Sequence, residues 1–358
     1  MKIVAVLYPG GDAAKEQPGL LGCVENELGL RQWLESQGHT YIVTHDKDGQ
    51  DSELDRNLPD TDILISTPFH PAYLTPERFQ KAKKLKLAVT SGVGSDHIHL
   101  DSAREHGVTV VECTGSNVVS VAETAVMSIL VLIKNYIPAH QQIVEGGWKV
   151  SEIAKRAYDL EDKVVGTVGA GRIGFRILQR LKPFQCKKLL YFDYQQLAPE
   201  LEKEVGVERV ESFEDFLSQC DIITINCPLY DTTKGLFDEK ALSKMKKGAY
   251  IVNTARGAIV DREALVKAVN SGHIAGYAGD VWDVQPAPQD HPWRTMPNNG
   301  MTPHYSGTTL DAQRRYAQGT KASEILEAFF QGNPFKPQDV IVHGGKVASA
   351  SYGEKKLA

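Results

Sequence analysis

Basic residues are not in excess in this chain. Lys and Arg number 40 against 45 Asp and Glu, giving a net charge of −5 over 358 residues. Without a domain-wide positive footprint, nucleic acid is not an expected partner. Cysteine is sparse: Cys23, Cys113, Cys186, Cys220 and Cys227 are scattered, and no C-x-x-C pair exists. That spacing argues against a disulfide scaffold and a thiolate metal site. Reduced thiols in a cytoplasmic protein are expected instead. The 11 histidines include no H-E-x-x-H, so no metal is expected. Long apolar runs are also missing. The most apolar stretch, residues 118–133, carries Glu123 and falls short of the roughly 20 residues a membrane span needs. A buried helix is expected there, not a membrane segment. The opening Met1-Lys2-Ile3-Val4-Ala5-Val6 leads straight into a strand pattern, so no leader peptide is expected.

What is present is globular in character. Hydrophobic residues make up 42% and charged residues 24%, both near the globular average. At roughly 100–200 residues per domain, two domains are expected. Strand patterns fall at residues 3–8, 41–44, 62–66 and 87–90, with helical patterns at 25–37 and 77–84. Thr75-Pro76 supplies an N-cap and a first-turn proline for the second of these. The lysines at 81, 83, 84 and 86 read as a solvated face. A second alternation begins with strands at 164–168, 189–193, 222–226 and 250–253. Helical patterns at 171–181, 212–219, 239–244 and 262–271 separate them. Such alternation implies parallel βαβ units. A long helical run at 309–331 is expected to pack back on the N-terminal part, making the first domain discontinuous. The last fifteen or so residues, rich in Gly, Lys and Ser, are expected to be mobile.

Gly169-Ala170-Gly171-Arg172-Ile173-Gly174 is a G-x-G-x-x-G motif. It follows the apolar strand 164–168 and opens a helix. The next strand ends at Asp193, 19 residues beyond Gly174. This is the full context of a dinucleotide site. Gly169 permits the tight turn, Gly171 lets the backbone approach a pyrophosphate, and Gly174 lets the helix pack on the sheet. The helix N-terminus offers N–H groups to the phosphates. A carboxylate at 193 suits a ribose 2′-hydroxyl and repels a 2′-phosphate, so NAD is expected over NADP. Tyr194, Gln195 and Gln196 add no cation.

Longer motifs extend the picture. They are Thr67-Pro68-Phe69-His70-Pro71, Gly92-Val93-Gly94-Ser95-Asp96-His97, and the run from Thr114 to Glu123. Further along stand Asn253-Thr254-Ala255-Arg256-Gly257-Ala258, Gly279-Asp280-Val281-Trp282, Gln285-Pro286-Ala287-Pro288, and the run from Thr302 to Thr309. With these the chain resembles the D-2-hydroxyacid dehydrogenase superfamily over nearly its whole length. Within it, the chain is most similar to metal-free, NAD-dependent formate dehydrogenases of the yeast and fungal type. The resemblance implies an α/β protein with two Rossmann-like, doubly wound parallel-sheet domains and an active site in the cleft between them. It implies a discontinuous catalytic domain, 1–117 with 307–358, and an NAD-binding domain, 118–306. A homodimer is implied as well.

The resemblance also assigns roles. Arg256 binds the substrate carboxylate, as a planar guanidinium can through two parallel bonds. Asn117 donates to the second carboxylate oxygen. Val93 contacts substrate, and Pro68 and Phe69 wall a pocket with no room for a side chain. Pro228, Leu229, Tyr230, Asp231, Thr232, Thr254, His304, Tyr305, Ser306 and Gly307 line NAD beside the glycine motif. Asp280 holds the carboxamide. His304 matches the proton-accepting His of the hydroxyacid enzymes, which is paired with a Glu. Here the residue five beyond Asp280 is Gln285. A neutral amide holds the imidazole without supplying the charge that tunes a proton relay. Oxidising formate moves only a hydride, whereas oxidising an alcohol also moves a proton, so Gln285 favours formate. The alternatives are a D-2-hydroxyacid dehydrogenase or glyoxylate-type reductase, and an NAD-sensing binding protein. Thr124, Tyr230-Asp231 and Asp283-Val284 depart from the formate dehydrogenase pattern.

Overall fold

The computed structural model describes residues 1–317 and 319–349. The tail expected to be mobile lies largely outside them. The described residues divide into two compact units: Met1–Ser120 with those that follow Ser306, and Val121–Ser306. The first boundary falls inside the helix Val118–Ile133.

In the first unit, short runs of Val, Ile and Leu form strands because such side chains pack well on a pleated surface. These are β1 (Lys2–Val6), β2 (Thr40–Thr44), β3 (Ile63–Ser66), β4 (Leu87–Thr90) and β5 (Thr109–Glu112). They pair in parallel in the order β5-β4-β3-β1-β2. Every residue of β3 and β4 is buried, as a sheet covered on both faces requires. Strand alternation sends Ile3, Ala5, Ile63 and Ile65 into one apolar cluster and Val4, Val6 and Leu64 into another.

The second unit has seven strands: β6 (Val164–Val168), β7 (Lys188–Phe192), β8 (Val207–Arg209), β9 (Ile222–Ile225), β10 (Ala249–Asn253), β11 (Ile274–Gly279) and β12 (Asn299–Met301). All are parallel, in the order β12-β11-β10-β9-β6-β7-β8. The order reverses between β6 and β9, which is where open α/β sheets bind ligands. The chain then returns to the first unit, where β13 (Val340–His343) runs antiparallel to β5 and β14 (Lys346–Val347) pairs with β13. The apolar run at 118–133 is one helix, and Ala122, Ala125, Ile129 and Ile133 of it are buried. No single described helix is long and apolar enough to cross a membrane. This helix and Tyr136–Val144 reach that length only together, across a 69° bend.

Two helical expectations need correction. The run at 25–37 is α-helical only over Arg31–Ser36, after a short 3-10 turn at Glu27–Gly29. Glu27 and Leu28 take left-handed backbone, φ 54° and 57°. For Leu28 that conformation is strained, but it buries the side chain completely. Glu27 is also held by Arg31, whose Nε and Nη2 donate to its carboxylate at 2.6 and 2.5 Å. The run at 309–331 is two helices, Leu310–Tyr316 and Lys321–Gln331. Gly319, at φ 74°, breaks it, and its N–H donates to Ser323 Oγ at 2.9 Å. Both helices pack into the first unit through Ala312, Tyr316, Ile325 and Leu326.

Candidate active site

In each unit the candidate residues stand just past the carboxyl ends of adjacent parallel strands. In the first unit, Pro68 and Phe69 follow β3, Gly92 and Val93 follow β4, and Asn117 lies in the loop after β5. Phe69 is half-buried and contributes to the apolar cluster, with its ring 6.3 Å from that of Tyr316. A Cβ on Gly92 would lie 2.8 Å from Pro68 and 3.6 Å from Phe69. A Cβ on Gly307 would lie 2.6 Å from Asn117 Nδ2 and 3.1 Å from Phe69. The structure therefore brings Pro68, Phe69, Asn117 and Gly307 together, with two glycines making the room.

Sequence reasoning passed over the residue that organises this group. Glu112, the last residue of β5, is buried. Its Oε2 accepts from Gly94 N–H at 3.0 Å and from Ser95 Oγ at 3.1 Å, and its Oε1 accepts from Thr114 Oγ1 at 3.3 Å. One carboxylate thus ties the loop of Val93 to the loop of Asn117. Burial pushes the neighbouring Cys113 thiol up to about 12, so it stays protonated and unreactive. His99 caps the helix Leu100–Glu105 by accepting from Ser102 N–H.

In the second unit, Gly169 takes φ 91° directly after β6, and a Cβ there would meet the backbone of Asn226 and Cys227 at 2.8–2.9 Å. A Cβ on Gly174 would lie 2.0 Å from Gly169 O, whereas nothing lies within 4 Å of one on Gly171. Two glycines close the turn, and the third leaves the backbone open to a ligand. Gly171 is the N-cap of the helix Arg172–Leu181, so Arg172 and Ile173 sit at the positive end of its dipole. Asp193 follows β7, its Oδ2 accepting from Ala170 N–H at 2.7 Å and its Oδ1 from Gln195 N–H at 3.0 Å. The loop holding Pro228, Leu229, Tyr230, Asp231 and Thr232 is closed by buried Thr233. Its Oγ1 donates to Pro228 O at 2.7 Å and accepts from Tyr230 N–H at 2.8 Å.

Three buried polar atoms at this edge have no hydrogen-bond partner: Asn226 Oδ1, Thr254 Oγ1 and Asp280 Oδ1. They follow β9, β10 and β11, three neighbours in the sheet. Buried polar atoms are otherwise paired, so the row fits a polar ligand lying along the sheet edge. Together with the glycine cradle, it fits a dinucleotide.

Arg256 follows β10 on a segment fixed by buried Asn253. The Asn253 side chain donates to Arg256 O at 2.9 Å and accepts from Ala255 N–H at 3.0 Å. A Cβ on Gly257 would lie 2.1 Å from the Trp282 backbone, so glycine is needed beside the arginine. Asp280 is fully buried. Its Oδ2 accepts from the N–H groups of Tyr305 and Ser306 at 3.0 and 2.6 Å, which holds the turn carrying His304. Gln285 lies against His304, with Nε2 3.2 Å from Nδ1. Trp282 N–H donates to Gln285 Oε1 at 3.2 Å. That contact fixes the amide orientation and turns its NH2 toward the imidazole. In a neutral ring facing that NH2, Nδ1 is the acceptor and Nε2 carries the proton. The unusual Asp283 is paired with buried His291 at 2.6 Å and with Arg262 at 3.2 Å, pinning the segment ahead of Gln285. Thr124 is buried in the helix Val118–Ile133.

Residues 126–306 match the family model described as D-isomer specific 2-hydroxyacid dehydrogenase, NAD binding domain. The chain belongs to this family. It is 59% identical to formate dehydrogenase of Chaetomium thermophilum, over 99% of this chain and 98% of the relative. A solved Granulicella formate dehydrogenase superposes with a TM-score of 0.93 at 48% identity, covering 98% of this chain and 100% of that one. NAD-dependent formate dehydrogenase from Staphylococcus aureus, solved in complex with NAD, gives 0.88 at 49% identity, covering 96% and 99%. These likenesses place the chain in the NAD-dependent formate dehydrogenase branch of the family.

Proposed function

We infer that the chain oxidises formate to CO2 by direct hydride transfer to NAD+. The observation that carries this reading is the Gln285–His304 pair. With the Gln285 amide against Nδ1, His304 can turn Nε2 toward the substrate. It can donate a hydrogen bond to a carboxylate oxygen, and the group at Nδ1 is a neutral amide rather than a carboxylate that would support the ring as a proton acceptor. The reaction HCOO⁻ + NAD⁺ → CO2 + NADH releases no proton, so none is needed. Bound NAD+ supplies the hydride acceptor.

Arg256 grips the formate carboxylate, and Asn117 and His304 donate to its oxygens. Formate loses its negative charge as the reaction proceeds, so tight ground-state binding of the anion gives no acceleration by itself. These groups act by positioning the C–H bond, a contribution on the order of 7–11 kcal/mol at best. Val93, Pro68 and Phe69 exclude a larger substituent. The glycine motif with Arg172 and Ile173 holds the pyrophosphate, and Asp193 reads the ribose. Residues 228–232, Thr254 and the turn from His304 to Gly307 line the cofactor, and Asp280 holds the carboxamide. The unit containing Asn117 is the catalytic domain, and the unit containing Gly169 is the NAD domain.

We assign a homodimer on the exposed apolar side chains Tyr136, Ile143, Val144, Trp148, Val150 and Tyr158 of the second unit. Such a patch marks an interaction surface. The five free cysteines suit a reducing compartment, and the cytoplasm is our assignment. The test is NADH appearance with purified protein, NAD+ and formate, beside D-lactate, D-glycerate and glycolate. Turnover confined to formate supports the reading. Turnover confined to a hydroxyacid refutes it and restores the reductase alternative.

A further inference from the structure

The cofactor edge holds a cation that its local sequence does not show. Arg209 is the last residue of β8 and sits opposite Tyr191 of β7 in the parallel ladder. From there it reaches the loop carrying Asp193. Its Nη2 donates to Asp193 O at 3.0 Å and to Tyr194 O at 3.5 Å, and its Nε donates to Asp193 O at 3.3 Å. The side chain is about three-quarters buried, and Glu211, the carboxylate paired with it at 3.7 Å, is 87% exposed. An exposed partner at that distance is well screened by water. The guanidinium therefore stays a net positive charge on the backbone of the loop that carries Asp193, whose carboxylate is itself fixed by Ala170 and Gln195 N–H groups.

We propose that Arg209 is a second residue determining cofactor specificity, opposing Asp193 at one subsite. A carboxylate favours a ribose 2′-hydroxyl, and a nearby arginine favours a 2′-phosphate. This chain carries both. With Asp193 charged, the carboxylate repels the phosphate and NAD is selected. Arg209 meanwhile binds the carbonyls of 193 and 194 and holds the loop in place. Once the carboxylate charge is removed, Arg209 is the cation that accepts the 2′-phosphate. A guanidinium does this well because its N–H groups are arranged as a fork. The preference is then a balance between two fixed charges, and it inverts with one of them. This rests on Asp193 reading the ribose, and the experiment separates the two statements.

The experiment measures the Kd of NAD+ and of NADP+ by titration of intrinsic fluorescence. The proteins are wild type, Asp193→Asn, Arg209→Gln and the double variant. Asp193→Asn should raise NADP+ affinity relative to NAD+ by about tenfold or more. Arg209→Gln in that background should cancel most of the gain. Arg209→Lys, which keeps the charge, should retain a large part of it. Arg209→Met, which keeps the apolar stem, carries the same test if the Gln variant does not fold. A residue that merely held the loop would weaken both cofactors equally and leave their ratio unchanged. A gain that survives loss of Arg209 overturns the proposal and leaves Asp193 intact. No gain in Asp193→Asn overturns the reading of Asp193, and the proposal with it.

Discussion

A single amide decides the chemistry assigned to His304. Gln285 can orient the ring because Trp282 N–H occupies its oxygen, leaving only the NH2 to face Nδ1. Gln285→Glu puts a carboxylate against the imidazole, which favours the protonated ring and raises its pKa. Formate kcat/KM should then fall, on the order of tenfold per unit of mismatch. The pH profile should gain an ionisation above the usual His value, with activity recovering as pH rises through it. A flat, unchanged profile would remove the argument from Gln285. Arg256→Ala should lower formate kcat/KM by roughly 100-fold or more, since a charge-assisted fork is lost. Formate turnover close to wild type would contradict its role. Both residues were legible in the sequence because each sits in a motif. The anchoring roles of Glu112, Asn253 and Arg209 were not: their partners lie at a distance along the chain or on backbone atoms, and only the folded backbone shows the contacts.

At the scale of elements, the carboxyl ends of neighbouring strands collect the site. Gly174 shows how little freedom those ends have, with its Cβ position 2.0 Å from Gly169 O. Gly174→Ala should weaken NAD+ binding by at least about tenfold, read by titration. Wild-type affinity would show that the turn can relax. A different tie holds the helix Glu53–Asn57 to the helix Pro76–Lys81. Asp55 there is buried and bonded to Arg78 at 2.6 Å and Lys81 at 2.9 Å. Burial pushes its carboxyl up, but the two cations more than offset this and the net shift is downward. A lowered folded-state value stabilises above the unfolded one, and that contribution is lost as pH falls through the folded value. Asp55→Ala should destabilise by roughly 3–5 kcal/mol by leaving Arg78 unpaired. It should also flatten the acid limb of a denaturant-stability curve, and an unchanged limb would contradict the pairing. Strands such as β4 and β6 were legible because apolar runs bounded by turns have one reading. The 25–37 run was not, since burying Leu28 overrides its helical pattern. β11 carries Ala and Gly where β-branched residues usually signal a strand.

Across the whole molecule, each of the two folding units carries its own set of candidate residues. Asn117, Phe69 and Gly307 belong to one, and Arg256, Gln285 and His304 to the other. The exposed Trp148, at 81%, belongs to a patch we assign to a second copy. Sedimentation should therefore report twice the 39.4 kDa chain mass, and Trp148→Glu should shift the protein toward single chains. A wild-type monomer would contradict the assignment. The central claim is that hydride passes directly from formate carbon to the nicotinamide, with no proton relay. Turnover of deuterated formate in ordinary water tests it most directly. The account predicts reduced cofactor with one deuterium at the nicotinamide C4 position, on one face only, and slower turnover than with ordinary formate. Reduced cofactor without deuterium would mean that the hydrogen comes from solvent, and would contradict direct transfer.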